Sequence, residues 1–185
     1  MFRKFSYWLS KSLALYDNAL IKVTYMGHFL HAFIGKQDVL RHIVKAFKHA
    51  QMISLSQGFG LLPLVDAFAE SVHLQLQDAG HQPVHPFDYL SESLASMGAQ
   101  YSGFGDIAYI ETEYFGGEGD QCAVVWRDKT IVFGPLSSDA NTASTKTPIS
   151  QALHLLGVQK GTEYDEFDAL GLGRFRHTDR CVEKS

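Results

Sequence analysis

Residues 107–134 constrain the fold most. IAYIETEYF, the loop GGEGD, QCAVVWR, the dipeptide Asp128-Lys129 and TIVFG follow one another without interruption. Runs of β-branched and aromatic residues favour extended backbone, and the short connections rich in Gly and Asp supply the positive φ angles of hairpin turns. The stretch therefore predicts a three-stranded antiparallel meander.

Around it the pattern alternates between strand and helix. ALIKVTYMGHFLHAFIG (19–35) reads as one or two strands with Gly27 as a bend. In 36–49, Val39, Leu40, Ile43, Val44 and Phe47 share a helical face opposite Lys36, Arg41, Lys45 and Lys48. A short strand is expected at 51–55, a helix at 64–77 closed by Gly80, and a helix at 87–97 stopped by Gly98. Residues 137–147, rich in Ser, Thr, Asn and Asp, read as a surface loop. A helix at 149–156 and an acidic turn or helix YDEFDAL follow. The fold class is α/β or α+β: a single domain, 19–176, with a mixed, largely antiparallel central sheet of about five or six strands flanked by helices. The two-strand and helix N-terminal part would form a right-handed crossover if its strands paired in parallel. An amphipathic helix at 1–18 precedes the domain and a polar tail at 177–185 follows it.

The 185 residues, 45% hydrophobic and 19% charged, suffice for one core and exclude a disordered or coiled-coil chain. Cys122 and Cys181 are too few for a disulfide framework, so a reducing cytoplasm is expected. Ser6, Ser10, Lys11 and Ser12 break the first apolar stretch, so neither a membrane span nor export is expected. A membrane-surface role for the first helix is the lesser alternative, because Arg3, Lys4 and Lys11 make a weak anchor.

Charge is distributed unevenly. Residues 1–50 carry eight Lys or Arg against Asp17 and Asp38, whereas 51–126 contain neither Lys nor Arg and hold ten acids. Either the flanking cations fold back over this segment or it presents an acidic surface, which would steer a basic partner and disfavour nucleic acid.

Candidate chemistry is sparse. Glu111 and Glu113 stand on one side of a strand about 7 Å apart, a spacing that suits a metal or an acid–base pair, or simply a solvated strand end. Gly116, Gly117 and Gly119 could nest an anion, but Glu118 and Asp120 repel phosphate, so a hairpin turn is the better reading. His28 and His31 fall on opposite faces of a strand, and His81/His85 and His177/Cys181 have no third ligand nearby. Cys122 sits in a run that looks like sheet core, as a free buried thiol rather than a nucleophile. No short catalytic, metal or cofactor motif occurs.

The segments SLSQGFGLLPLVDAF (54–68), IAYIETEYFGGEGDQCAVVWRDKTIVFGP (107–135), SQALHLLGV (150–158) and DEFDALGLGRFR (165–176) resemble a family of small uncharacterised bacterial proteins. Its most specific block is Ile110 to Gly117 followed by Gly119 and Gln121, and the resemblance spans residues 26–176 and carries no catalytic residue. In size, acidity and single-domain build the chain is similar to immunity proteins of bacterial toxin systems. That likeness implies a non-enzymatic cytoplasmic protein occluding the basic active site of a cognate toxin domain. Its contacts would be Glu111, Glu113, Glu118, Asp120, Asp165, Glu166 and Asp168. The alternatives are an enzyme using Glu111 and Glu113 as metal ligands or general bases, and an interaction module built on the first helix.

Overall fold

The computed structural model describes residues 27–77, 82–115, 118–139 and 146–182. The amphipathic helix expected at 1–18 and the strand residues expected before Gly27 lie outside them. In chain order the strands are β1 His28–Lys36, β2 Ile53–Ser54, β3 Phe59–Pro63, β4 Ile107–Phe115, β5 Glu118–Arg127 and β6 Thr130–Asp139. The helices are α1 Gln37–Ala46, α2 Asp66–Leu76, α3 Glu92–Tyr101, α4 Pro148–Leu155 and α5 Glu166–Ala169. The strands form one six-stranded sheet in the order β2-β3-β1-β4-β5-β6, and every neighbouring pair is antiparallel.

The meander is present as the sequence predicts. β4, β5 and β6 pair in succession, and Asp128 and Lys129 both have positive φ (48° and 67°), as a two-residue turn between right-twisted strands requires. Among the described residues, the N-terminal strands do not pair in parallel. β1 and β2 run in the same direction, but β3 lies between them and is antiparallel to both. β3 is the element the sequence hides, because Gly58, Gly60 and Pro63 read as a turn. Its five residues are all buried, and Pro63, which lacks an N–H, sits at the strand end opposite Ala32.

Helices cover both faces of the sheet, which explains why β4 is buried on both sides from Ile107 to Thr112. On one face, Phe33, Ile107, Tyr109, Val124 and Trp126 pack against α1, α2 and α3. On the other, Leu30, Ile34, Ile110 and Val125 pack against α4 and the segment 158–181. Helix α3 starts later than the apolar spacing suggests: Ser91 caps it by accepting a hydrogen bond from Leu94 N, while Phe87 and Leu90 reach the core from the preceding loop. It also runs through Gly98. A Cβ there would lie 3.0 Å from the Trp126 ring and 3.2 Å from the Phe33 ring, so this glycine serves close helix–sheet approach rather than termination.

The stretch read as a polar tail is in part structural. Thr178 and Cys181 are buried, and the Thr178 hydroxyl accepts from His31 N and donates to Phe29 O. With Phe29 N donating to Arg176 O, this segment satisfies the backbone of β1 beyond the reach of β3. Among the described residues, no helix is long and apolar enough to cross a membrane.

Candidate functional site

Register brings three pairs of side chains together at one end of the sheet, on the face covered by α1–α3. Phe29 and His31 of β1 oppose Glu113 and Glu111 of β4, which in turn oppose Asp120 and Cys122 of β5. The loop before α3 crosses this grid. Its Tyr89 ring stacks on the His31 imidazole with centroids 3.7 Å apart and planes 15° from parallel. A cavity of about 540 Å³ remains between loop and sheet, and Asp88, Glu111, Glu113 and Asp120 line it together with His31 and Cys122. Among the described residues, neither Lys nor Arg contributes to its walls. Gly119 closes one side; its φ of 154° is open to glycine, and a side chain there would collide with the Glu113 carbonyl.

Glu111 is not the solvated strand-end charge that its neighbourhood in the sequence suggests. It is buried, with Oε2 accepting from Asp88 N at 2.8 Å. Oε1 accepts from Tyr89 N, Leu90 N and the Tyr109 hydroxyl at 2.9, 3.1 and 2.9 Å. Burial raises its pKa, and the N–H donors of Asp88 and Tyr89 oppose that rise. Its carboxylate therefore clamps the loop over the sheet and sits in the cavity wall rather than at the surface. Glu113 and Asp120, two residues nearer the strand end, are exposed.

Two groups in the cavity bear on chemistry. Burial, followed by the charge of His177, pushes His31 down to about 3, so the imidazole is neutral. It is 4% exposed and its Nε2 has no hydrogen-bond partner. Burial together with Glu111, Asp120 and Asp88 pushes the Cys122 thiol up to about 12, the reverse of what a nucleophile needs. Among the described residues, no group of three or more His, Cys, Asp or Glu side chains is placed to share a metal ion. Glu111 is thus occupied by four donors, and the Cys122 thiol beside it is held protonated.

The remaining expected contacts separate. Glu118 belongs to β5 beside Asp120, but its side chain lies outside the description. Glu166 and Asp168 belong to α5, with Asp165 just before it, and α5 packs on α4 over the opposite face of the sheet. Asp165 caps that helix by accepting from Asp168 N, and Glu166 meets His154 at 3.2 Å, so these two carboxylates serve local structure. Asp168 is exposed, and partial desolvation with Asp165 and Glu163 raises its pKa.

The sequence reading placed His28 and His31 on opposite faces, and the structure does the same: His28 meets Leu172 O behind the sheet while His31 meets Tyr89 in front. It did not single out His31, Asp88 or Tyr89 as members of the acidic site. Strand parity could have placed His31 beside Glu111, whereas nothing in the sequence shows the loop of Asp88 and Tyr89 folding onto them. Compared with protein-family models, with curated proteins and with solved structures, the chain finds no match in any of the three.

Proposed function

We propose that this protein is a non-enzymatic binding protein of the immunity type, which neutralises a cognate bacterial toxin by engaging the basic residues of its active site. The observation that carries this reading is the convergence of Asp88, Glu111, Glu113 and Asp120 on one cavity whose walls, among the described residues, hold no Lys or Arg. Carboxylates gathered in a concave, partly desolvated site focus a negative potential, which speeds capture of a cationic surface and selects against anionic ones. Inhibition by occlusion requires no catalytic group. The reading includes a cytoplasmic location, in keeping with the free thiols of Cys122 and Cys181.

The test is affinity capture from the native host with the full chain, in parallel with a variant carrying Asp88→Asn, Glu113→Gln and Asp120→Asn. One basic, growth-inhibiting protein should be retained by the parent chain, released as salt rises, and lost by the variant. Co-expression of the parent chain with that protein should restore growth. Retention of the same partner by the neutralised variant, or indifference to salt, would overturn the reading.

A further inference from the structure

A second concave surface carries the opposite charge. The segment that follows α5 sets Arg174, Arg176 and Arg180 around a cavity of about 530 Å³, together with Ile53 of β2, Phe175 and His177. Among the described residues no carboxylate lines this cavity, and none of its wall residues belongs to the acidic one. Glu113 and Asp179 line a different, neighbouring cavity, which Arg176, His177 and Arg180 also border.

The backbone holds these cations in place. Phe29 N donates to Arg176 O, and Thr178, between Arg176 and Arg180, accepts from His31 N and donates to Phe29 O. Arg180 N donates to His177 O at the start of the short helical turn Thr178–Cys181. The Arg174 guanidinium stands over the Phe175 ring, 4.7 Å from its centroid, a cation–π contact that restricts where the charge can go. All three arginines are exposed, and among the described residues neither Arg174 nor Arg176 forms an ion pair. Three like charges around one concavity repel one another and focus a positive potential there, which an anion relieves.

We infer that this cavity binds a phosphomonoester dianion carried by a small organic body, a sugar phosphate or a nucleoside monophosphate. The phosphoryl group offers three terminal oxygens to three guanidinium forks, whereas a carboxylate offers two oxygens and a single charge. A cation meets three like charges, and an uncharged guest leaves their repulsion unrelieved. The volume lies within the roughly 300–1,000 Å³ of small-molecule sites and exceeds what a free phosphate ion fills. Ile53 and Phe175 supply apolar wall for the organic body. The inference does not rest on the toxin-binding reading, whose cavity has other walls.

The test is titration calorimetry of the full-length protein with ribose 5-phosphate and AMP. The controls are inorganic phosphate, which lacks the body, adenosine, which lacks the phosphate, and glucuronate, a sugar with a carboxylate in its place. Saturable binding of at least one ester is expected, at least about tenfold tighter than each control, and which ester binds distinguishes the two bodies. Arg174→Gln and Arg176→Gln, at exposed positions, should each lose at least about tenfold in affinity with the circular dichroism spectrum unchanged. Lys45→Gln, which removes an exposed cation of α1 outside the cavity, should keep the parent affinity. No saturable binding of either ester, parity with any control, or equal affinity in the arginine variants and Lys45→Gln would each overturn the assignment. The comparison of esters with controls needs no variant.

Discussion

The sharpest physical consequence of the acidic cavity is acid lability centred on His31. Its pKa falls from 6.5 to about 3 because burial would strip a protonated imidazole of its water, and the charge of His177 adds to that cost. Unfolding restores the ordinary value, so between these limits the unfolded chain binds a proton that the folded chain refuses. Stability must then decrease as pH falls below about 6.5, approaching 1.4 kcal/mol per unit. By about pH 4.5 the loss from this group amounts to about 2–3 kcal/mol, a large part of the stability of a domain this size. His28, also lowered by burial, acts in the same sense, while Glu111, whose pKa is raised, acts in the opposite one. Asp88, Glu113 and Asp120 also face the site. The discriminating perturbation is therefore His31→Phe, which keeps a ring against Tyr89 and removes the titration. Urea unfolding at a series of pH values should show the parent protein losing about 2–3 kcal/mol more than His31→Phe between about pH 6.5 and 4.5. Parallel curves for the two proteins would refute the reasoning.

Glu111→Ala should cost about 3–4 kcal/mol in the same assay, because three backbone N–H groups and the Tyr109 hydroxyl lose one acceptor, with amide exchange at residues 88–90 accelerated. Asp120→Asn removes a like-charge cross-strand pair with Glu113 and should stabilise by a few tenths of a kcal/mol, about the limit of denaturant titration. Gly98→Ala gains about 1 kcal/mol of helix propensity but drives a methyl into Trp126 and Phe33, so thermal unfolding should show a net loss of about 1–2 kcal/mol. Burial raises the thiols of Cys122 and Cys181 to about 12 and 11, so both should resist alkylation in the native protein at mildly basic pH and react on unfolding, as followed by mass spectrometry.

What the sequence discloses and what it conceals follow from the range of each interaction. β4, β5 and β6 are legible because their pairing is local and their turn residues announce it. Helix α1 is legible because only one of its faces is buried. β3 is not, since a short strand between two partners carries no polar alternation and its Gly and Pro imitate a turn. The start of α3 was misplaced because Phe87 and Leu90 keep a helical spacing while packing from a loop. That loop owes its course to Glu111, which lies more than twenty residues further along the chain. The carboxylate most easily read as a surface charge is thus a buried anchor, and only tertiary structure tells the two apart. Lysine-free composition did mark the segment that supplies the cavity. It did not mark the acids of α5, which lie on the far face.

Strand parity gives one end of the sheet two faces of different composition. Along β1, β4 and β5 the residues Phe29, His31, Glu111, Glu113, Asp120 and Cys122 face forward, and the interleaved His28, Thr112, Tyr114 and Gln121 face back. The front layer ends before the strands do, leaving carboxylates around a concave surface that the 88–90 loop overhangs. Behind, the C-terminal segment brings Arg176 over the strand ends and fastens there through Phe29 N and Thr178. Since β1, β4 and β5 are shared and packed on both faces, the C-terminal segment that fastens behind them also restrains the strands carrying His31 and Glu111 in front.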